Sequence, residues 1–390
     1  MDNSAEQVTQ GLNPATLRAP MSRLPALTRP TRLTLLVVLV LAAAGVGWAV
    51  WQKPWRTRAS DPVLDSPTLA LEFLQAKVLY FNGPARQWVI SQRPSLIDDE
   101  VRDEGSDRSR GMSQAVQNPK LFRQLDRKYR FDALLLVGDP SQYTPLLDHL
   151  RQTHDWTLRY ADHTSLVFRR DAGKTWDLDA LAPVRARIAS KPPEVRATVL
   201  ALTATRVNAA GFPKQAKLLL DEASSLAPRV PEVANAFAVY YLALGKFREA
   251  APQVNRALDA DPYFLPALAT KAQLYYGTKR YSEAYDLSKQ VIERLPENPV
   301  LLFYHAKIAH EAHAYQAEID VMEKLIHLAD ADGRPLGGYQ LYLGQAYASA
   351  GDAKHSIDAF MAALSDPELP SDQREFARDN IVRIKKRSGQ

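Results

Sequence analysis

The chain has 390 residues, 46% hydrophobic and 24% charged, ordinary globular make-up and enough for two or three folded units. It has no cysteine, which excludes disulfide stapling, thiolate zinc sites, iron–sulfur clusters and cysteine nucleophiles. Its net charge of +5 sits in the first 58 residues, where Arg18, Arg23, Arg29, Arg32, Lys53, Arg56 and Arg58 face only Asp2 and Glu6; the remainder is neutral overall, so no global duplex-binding surface and no nucleic-acid partner is expected.

Residues 1–32 are polar and carry Pro14, Pro20, Pro25 and Pro30, and read as a disordered cytoplasmic tail. Leu33–Trp51 is a run without a charge, and its 19 residues fit one crossing of a bilayer core. Arg29 and Arg32 precede it, Lys53, Arg56 and Arg58 follow it, and Trp48, Trp51 and Trp55 stand at the interfacial level. A cleaved signal peptide ending near Ala42-Ala43-Ala44 is the rival, against which stand the long leader and the continuation of the apolar run. Four basic residues before the span against three after it orient the N-terminus inward. A single-pass protein of a bacterial inner membrane with periplasmic C-terminal domains is the expectation. Ala43-x-x-x-Gly47 would let two spans pack closely as a homodimer.

Residues 60–180 do not repeat. Leu69–Phe81 reads as a helix, Arg130–Val137 as a buried strand, and Pro140–Leu150 as a following helix. Trp156–Tyr160 and Ser165–Arg169 flank a hairpin turn, so a small α/β domain is expected. The acidic run Asp98-Asp99-Glu100 with Asp103, Glu104 and Asp107 reads as a solvated, mobile loop, or as a divalent-ion or sugar contact, since Arg102, Arg108 and Arg110 interrupt it and no calcium-loop pattern is present.

The C-terminal half repeats with a period of 34. Pro228, Pro262 and Pro296 keep that spacing, as do Ala216, Ala250 and Ala284, and Gly211 and Gly245. Lys279 and then His313 stand where the next turn glycines are due, and an insertion near Asp330–Pro335 precedes the recovery of register at Gly344, Tyr347 and Gly351. Within one unit, Ala238, Tyr241, Gly245, Ala250, Ala257 and Pro262 occupy the small, aromatic, turn-glycine, small, small and proline positions of a tetratricopeptide repeat, which residues 193–366 resemble. The resemblance implies a mainly α protein: an α-solenoid of about five helix pairs, closed by a capping helix and tail over 371–390, after the small α/β domain and the single transmembrane helix.

It also implies a concave groove lined by the first helix of each pair. Mapped onto this chain, that groove holds Asn235, Val239 and Leu242, then Ala269, Gln273 and Tyr276, then Phe303, Lys307 and His310, then Leu341 and Gln345. Such a trough suits an extended peptide or an amphipathic helix of a protein partner. The alternative for any one of these side chains is packing between neighbouring helices. The family's clamp for a C-terminal carboxylate is matched only at Asn235 and Lys307, which argues against a chaperone-tail ligand. His310-Glu311-Ala312-His313 is one residue short of the zinc-protease spacing, so no metal is expected.

The pieces RFDALLLV and DWTLRYADHTSLVFRR, through Trp156, Leu158, Tyr160, Asp162, Val167 and Arg169, resemble the soluble domain of multi-span envelope glycosyltransferases. With one span here, that resemblance implies a non-catalytic accessory module. No P-loop, G-x-G-x-x-G, G-x-S-x-G or H-E-x-x-H string occurs. The reading is therefore a membrane-anchored scaffold that binds protein partners and assembles a cell-envelope complex, without catalysis or cofactor. The alternatives are a periplasmic chaperone-like factor for exported proteins and a glycan-acting enzyme built on residues 60–180.

Overall fold

The computed structural model describes residues 66–171 apart from 75, then 180–331 and 336–388 apart from 368. The span expected over 33–51 and the Ala43–Gly47 contact lie outside them. Among the described residues no helix is long and apolar enough to cross a membrane. They form two compact units, 66–291 and 292–388, divided within one helix between Val291 and Ile292.

The first unit opens with α1 (Thr68–Phe73) and the short strand β1 (Leu79–Phe81). The single helix expected over Leu69–Phe81 is thus a helix followed by a strand. All three residues of β1 are buried, so they carry no alternation that would mark a strand in the sequence. Helices α2 (Arg86–Gln92), α3 (Asp99–Arg102), α4 (Asp107–Ala115) and α5 (Pro119–Tyr129) follow. Strand β2 (Ala133–Val137), α6 (Thr144–Thr153), β3 (Trp156–Ala161) and β4 (Ser165–Arg170) complete the sheet region, which shares one core with the first helix pairs.

The sheet order is β1-β2-β4-β3. β1 and β2 run parallel, and β4 is antiparallel to both β2 and β3, so the hairpin read from the sequence is present. The turn Asp162–Ser165 is held by the Asp162 carboxylate, which accepts from the backbone N–H groups of Thr164 and Ser165 and from the Thr164 hydroxyl. Aromatic side chains fill the helical side of the sheet: Tyr80 meets Phe122 and Phe131 edge-on, at 5.2 and 5.4 Å between ring centres. The Tyr80 hydroxyl donates to the Met112 carbonyl at 2.8 Å.

The acidic run is not a free loop. Asp98 caps α3 by accepting from the Val101 N–H, and its other carboxylate oxygen binds the guanidinium of the buried Arg108. Ser106 caps α4, and Glu104 pairs with Arg86 at 3.0 Å. Capping and ion pairing thus engage Asp98 and Glu104, while all six carboxylates of the run stay exposed.

After α7 (Ala182–Ile188) the helix pairs begin: α8 (Pro193–Ala209) with α9 (Pro213–Leu226), and α10 (Pro231–Ala243) with α11 (Phe247–Ala260). Next are α12 (Leu265–Gly277) with α13 (Tyr281–Arg294), the helix that crosses the division between units. The second unit holds α14 (Pro299–Glu311) with α15 (Tyr315–Ala331), α16 (Gly337–Ala350) with α17 (Ala353–Ser365), and a final helix α18 (Ser371–Ser388).

Every pair turns in the same way. The second residue after the turn donates back over five positions: Phe212 to Val207, Lys246 to Tyr241, Arg280 to Tyr275, Ala314 to Ala309, and Asp352 to Tyr347, at 2.8–3.1 Å. This bond ties off a helix end only if the residue before it takes a left-handed backbone. Gly211, Gly245 and Gly351 do so, and so do the two departures from the pattern, Lys279 at φ 64° and His313 at φ 61°. The insertion is accommodated by α15, whose 17 residues exceed the 14 of α9, α11 and α13.

The first pair is fixed to the sheet. Arg206 of α8, buried, donates to the carbonyls of Gly138 and His163 and to the Tyr143 hydroxyl. Gly211, at the α8–α9 turn, lies so close to the Arg151 side chain that a Cβ there would come within 2.4 Å of it.

Candidate partner-binding groove

In the first unit the first helices of successive pairs lie side by side, α8 against α10 and α10 against α12, while α9 and α11 pack against α10 as well. Alanines permit the close approach: Ala234, Ala236, Ala238, Ala267, Ala269 and Ala272 are all buried. Val239 and Leu242 are also fully buried and pack with Ala243, Ala250, Val254 and Leu274. They belong to the core between helices, so the groove surface expected of them is replaced by a supporting layer. Ala269 is buried likewise.

Asn235 of α10 and Gln273 of α12 behave differently. They are 7% and 5% exposed, yet the Asn235 Oδ1 and both polar atoms of the Gln273 carboxamide have no hydrogen-bond partner among the described residues. A buried amide without a partner costs roughly 1–3 kcal/mol, so two on neighbouring helices are a substantial concession. Tyr276, one turn beyond Gln273, is half-buried and packs edge-on against Tyr281 at 5.7 Å. On the adjoining side of α12, the Arg280 guanidinium lies 4.0 Å from the Tyr275 ring centre and is hydrogen-bonded to Glu283.

In the second unit, Phe303 of α14 is half-buried and meets Tyr342 and Tyr339 of α16 edge-on, at 5.0 and 6.3 Å. One turn on is Lys307, half-buried and without an ion pair among the described residues. Burial pushes its ammonium down to about 8, against a partial upward pull from Glu311. His310 follows, with Nδ1 2.8 Å from Glu318 Oε2 of α15. Burial works to lower the imidazole, but the hydrogen bond and charge of Glu318 outweigh it and hold it above the usual histidine range. Burial likewise raises the Glu318 carboxyl, with His310 opposing. Leu341 is buried and Gln345 half-buried on α16.

His313 bonds the Tyr315 hydroxyl at 2.8 Å rather than sharing a ligand with His310, and no cluster of three potential metal ligands occurs among the described residues. The carboxamide pair is only half legible in the sequence: repeat register puts Asn235 and Gln273 in the trough, but nothing in the sequence marks them as buried and unpartnered.

Residues 241–302 match a family model, the tetratricopeptide repeat. The match covers the second helix pair from Tyr241 onward, the third pair, and the start of α14. No curated protein is significantly similar to the chain. Among solved structures, a thermophilic tetratricopeptide protein of Thermus thermophilus is 16% identical with a TM-score of 0.36, covering 47% of this chain and 97% of its own. PilF of Pseudomonas aeruginosa is 15% identical with a TM-score of 0.41, covering 50% and 91%. PilW, described as a type IV pilus biogenesis factor, is 14% identical with a TM-score of 0.43, covering 60% and 96%. At these values the likeness lies in the arrangement of helices and says nothing about what this chain does.

Proposed function

We propose that the protein is a membrane-anchored scaffold that binds other proteins and gathers them in the assembly of a cell-envelope complex. The observation that carries this reading is the pair of buried, unpartnered carboxamides, Asn235 and Gln273, on adjacent first helices. A carboxamide offers one acceptor and two donors, the complement of a peptide bond; these atoms are closed off in the free chain, and an extended segment laid across α10 and α12 would meet both once the two side chains turn outward. Tyr276 supplies an apolar contact for a side chain of that segment. In the second unit, Phe303, Lys307 and His310 offer an aromatic surface next to a cation without an ion pair among the described residues, which suits an apolar residue followed by an acidic one.

The anchor in this reading is Leu33–Trp51, with the N-terminus in the cytoplasm and residues 52–390 in the periplasm of a bacterial inner membrane. The boundaries of the repeat region, 193–366, and of the small domain, 60–180, are part of the same reading. The small domain serves as a base for the first helix pair through Arg206, without a catalytic role.

Replacing Gln273 with Leu tests it. A side chain kept only for stability would lose by the change, whereas one kept for a ligand would not. Gln273→Leu is expected to raise thermal stability, by about 1 kcal/mol through removal of an unsatisfied amide, and to reduce partner capture at least tenfold. Lower stability with unchanged capture would overturn the proposal.

A further inference from the structure

Helix α5 has an amphipathic pattern with one exposed face of a single sign. Asn118 caps it by accepting from the Leu121 N–H, Pro119 fixes its first turn, and Phe122 and Leu125 face the core. Lys120, Arg123 and Arg127 stand at i, i+3 and i+7 on the exposed side, and Arg130 is exposed at the C-terminal cap. None of these four side chains has an ion pair among the described residues. The one carboxylate of the helix, Asp126, is taken by Arg170 of β4. Since the chain beyond residue 58 is neutral overall, this face is a local excess and not a reflection of the composition.

We propose that the exposed face of α5 rests on the anionic phospholipid headgroups of the membrane that holds the chain. The proposal rests on the anchored reading above. Cations near an anionic bilayer are attracted individually and fall out of its field within a Debye length, so a row of them on one helix face acts only when that face is held close. Residue 66 is 15 positions from Trp51, a reach of at most about 50 Å even fully extended. A compact unit of about 220 residues has a radius of gyration near 17 Å, so any of its faces, α5 included, is within that tether. Charge complementarity then selects the face.

The chain's lack of cysteine allows a clean test. Gln124→Cys, exposed beside the row, is labelled with a fluorophore in the full-length chain, and quenching by a headgroup-borne quencher is measured in nanodiscs. Quenching in phosphatidylglycerol discs that is absent in phosphatidylcholine discs is expected. It should fall at least fivefold in about 1 M salt, where the Debye length is about 3 Å, and equally in K120E/R123E/R127E. Quenching that is the same in both lipids, or unaffected by charge reversal and salt, would overturn the proposal. So would crosslinking from position 124 to an acidic protein with no headgroup quenching, which would assign the face to a protein. The anchor is read separately, from recovery of the chain with phosphatidylcholine discs. Loss of that recovery overturns the anchored reading and the α5 proposal with it, whereas recovery without quenching keeps the anchor and overturns the α5 proposal alone.

Discussion

The guanidinium of Arg206 reaches the Tyr143 hydroxyl at 3.0 Å, and the same group donates to the carbonyls of Gly138 and His163, so one side chain of α8 closes the end of the β2 strand and the β3–β4 turn. In open α/β sheets the carboxyl ends of the strands are where ligands are admitted. Here a repeat helix occupies that place. Tyr143, buried behind the arginine, is pushed up to about 12, mainly by burial and against the pull of Arg206.

Arg206→Ala would leave three buried acceptors to find other partners. We predict a loss of about 3 kcal/mol and separate melting of the sheet domain and the first helix pairs, read by calorimetry of the full chain. Arg206→Lys, which cannot span three acceptors, should recover less than half of the loss.

Lys279 holds a left-handed backbone in a turn where three equivalent positions are glycine. Lys279→Gly should stabilise the protein by about 1 kcal/mol, and Lys279→Val should destabilise it by more, since a β-branched residue is poorly tolerated there. Denaturant titration of both variants checks the order. His313→Gly should gain less, because it loses the bond to Tyr315.

Between a folded value of about 8 and the ordinary lysine value, the folded state binds fewer protons at Lys307 than the unfolded state does. Stability therefore rises with pH across that window. Lys307→Met should remove the rise and stabilise the protein at pH 7, where the buried ammonium is charged. Comparing unfolding midpoints of the two proteins at pH 7 and 10 measures it.

His310 behaves oppositely. Its raised value means that the contribution of the Glu318 pair is complete below the unfolded histidine value and is lost as pH rises through the folded one. His310→Ala leaves a buried carboxyl without its partner, and should cost about 3 kcal/mol at pH 6 and less at pH 8, as read from denaturant midpoints at the two pH values. A double change with Glu318→Gln should recover part of this.

The repeats are legible because close packing demands small residues at fixed intervals, and those intervals survive in Ala216, Ala250 and Ala284 whatever surrounds them. The turns at Lys279 and His313 are legible as departures, but that they keep the left-handed backbone follows from the neighbouring hydrogen bonds and not from their side chains. β1 reads as helix because a strand of three buried residues has no period to detect. Arg206 gives no signal in the sequence, since two of its three acceptors are backbone oxygens 43 and 68 positions away, groups that leave no mark there. The acidic run is exposed to water as its composition suggests, but it is not a loop throughout, since Asp98 and Ser106 cap two short helices within it.

Reception of a protein segment by α10 and α12 through Asn235 and Gln273 is tested most directly by photo-crosslinking from Tyr276 in intact cells, in the native background and with Gln273→Leu. A discrete adduct with one or two envelope proteins is expected, and it should disappear in the Gln273→Leu background while the helical content is unchanged. An adduct of equal intensity in both backgrounds, or adducts confined to cytoplasmic proteins, would contradict the proposed scaffold.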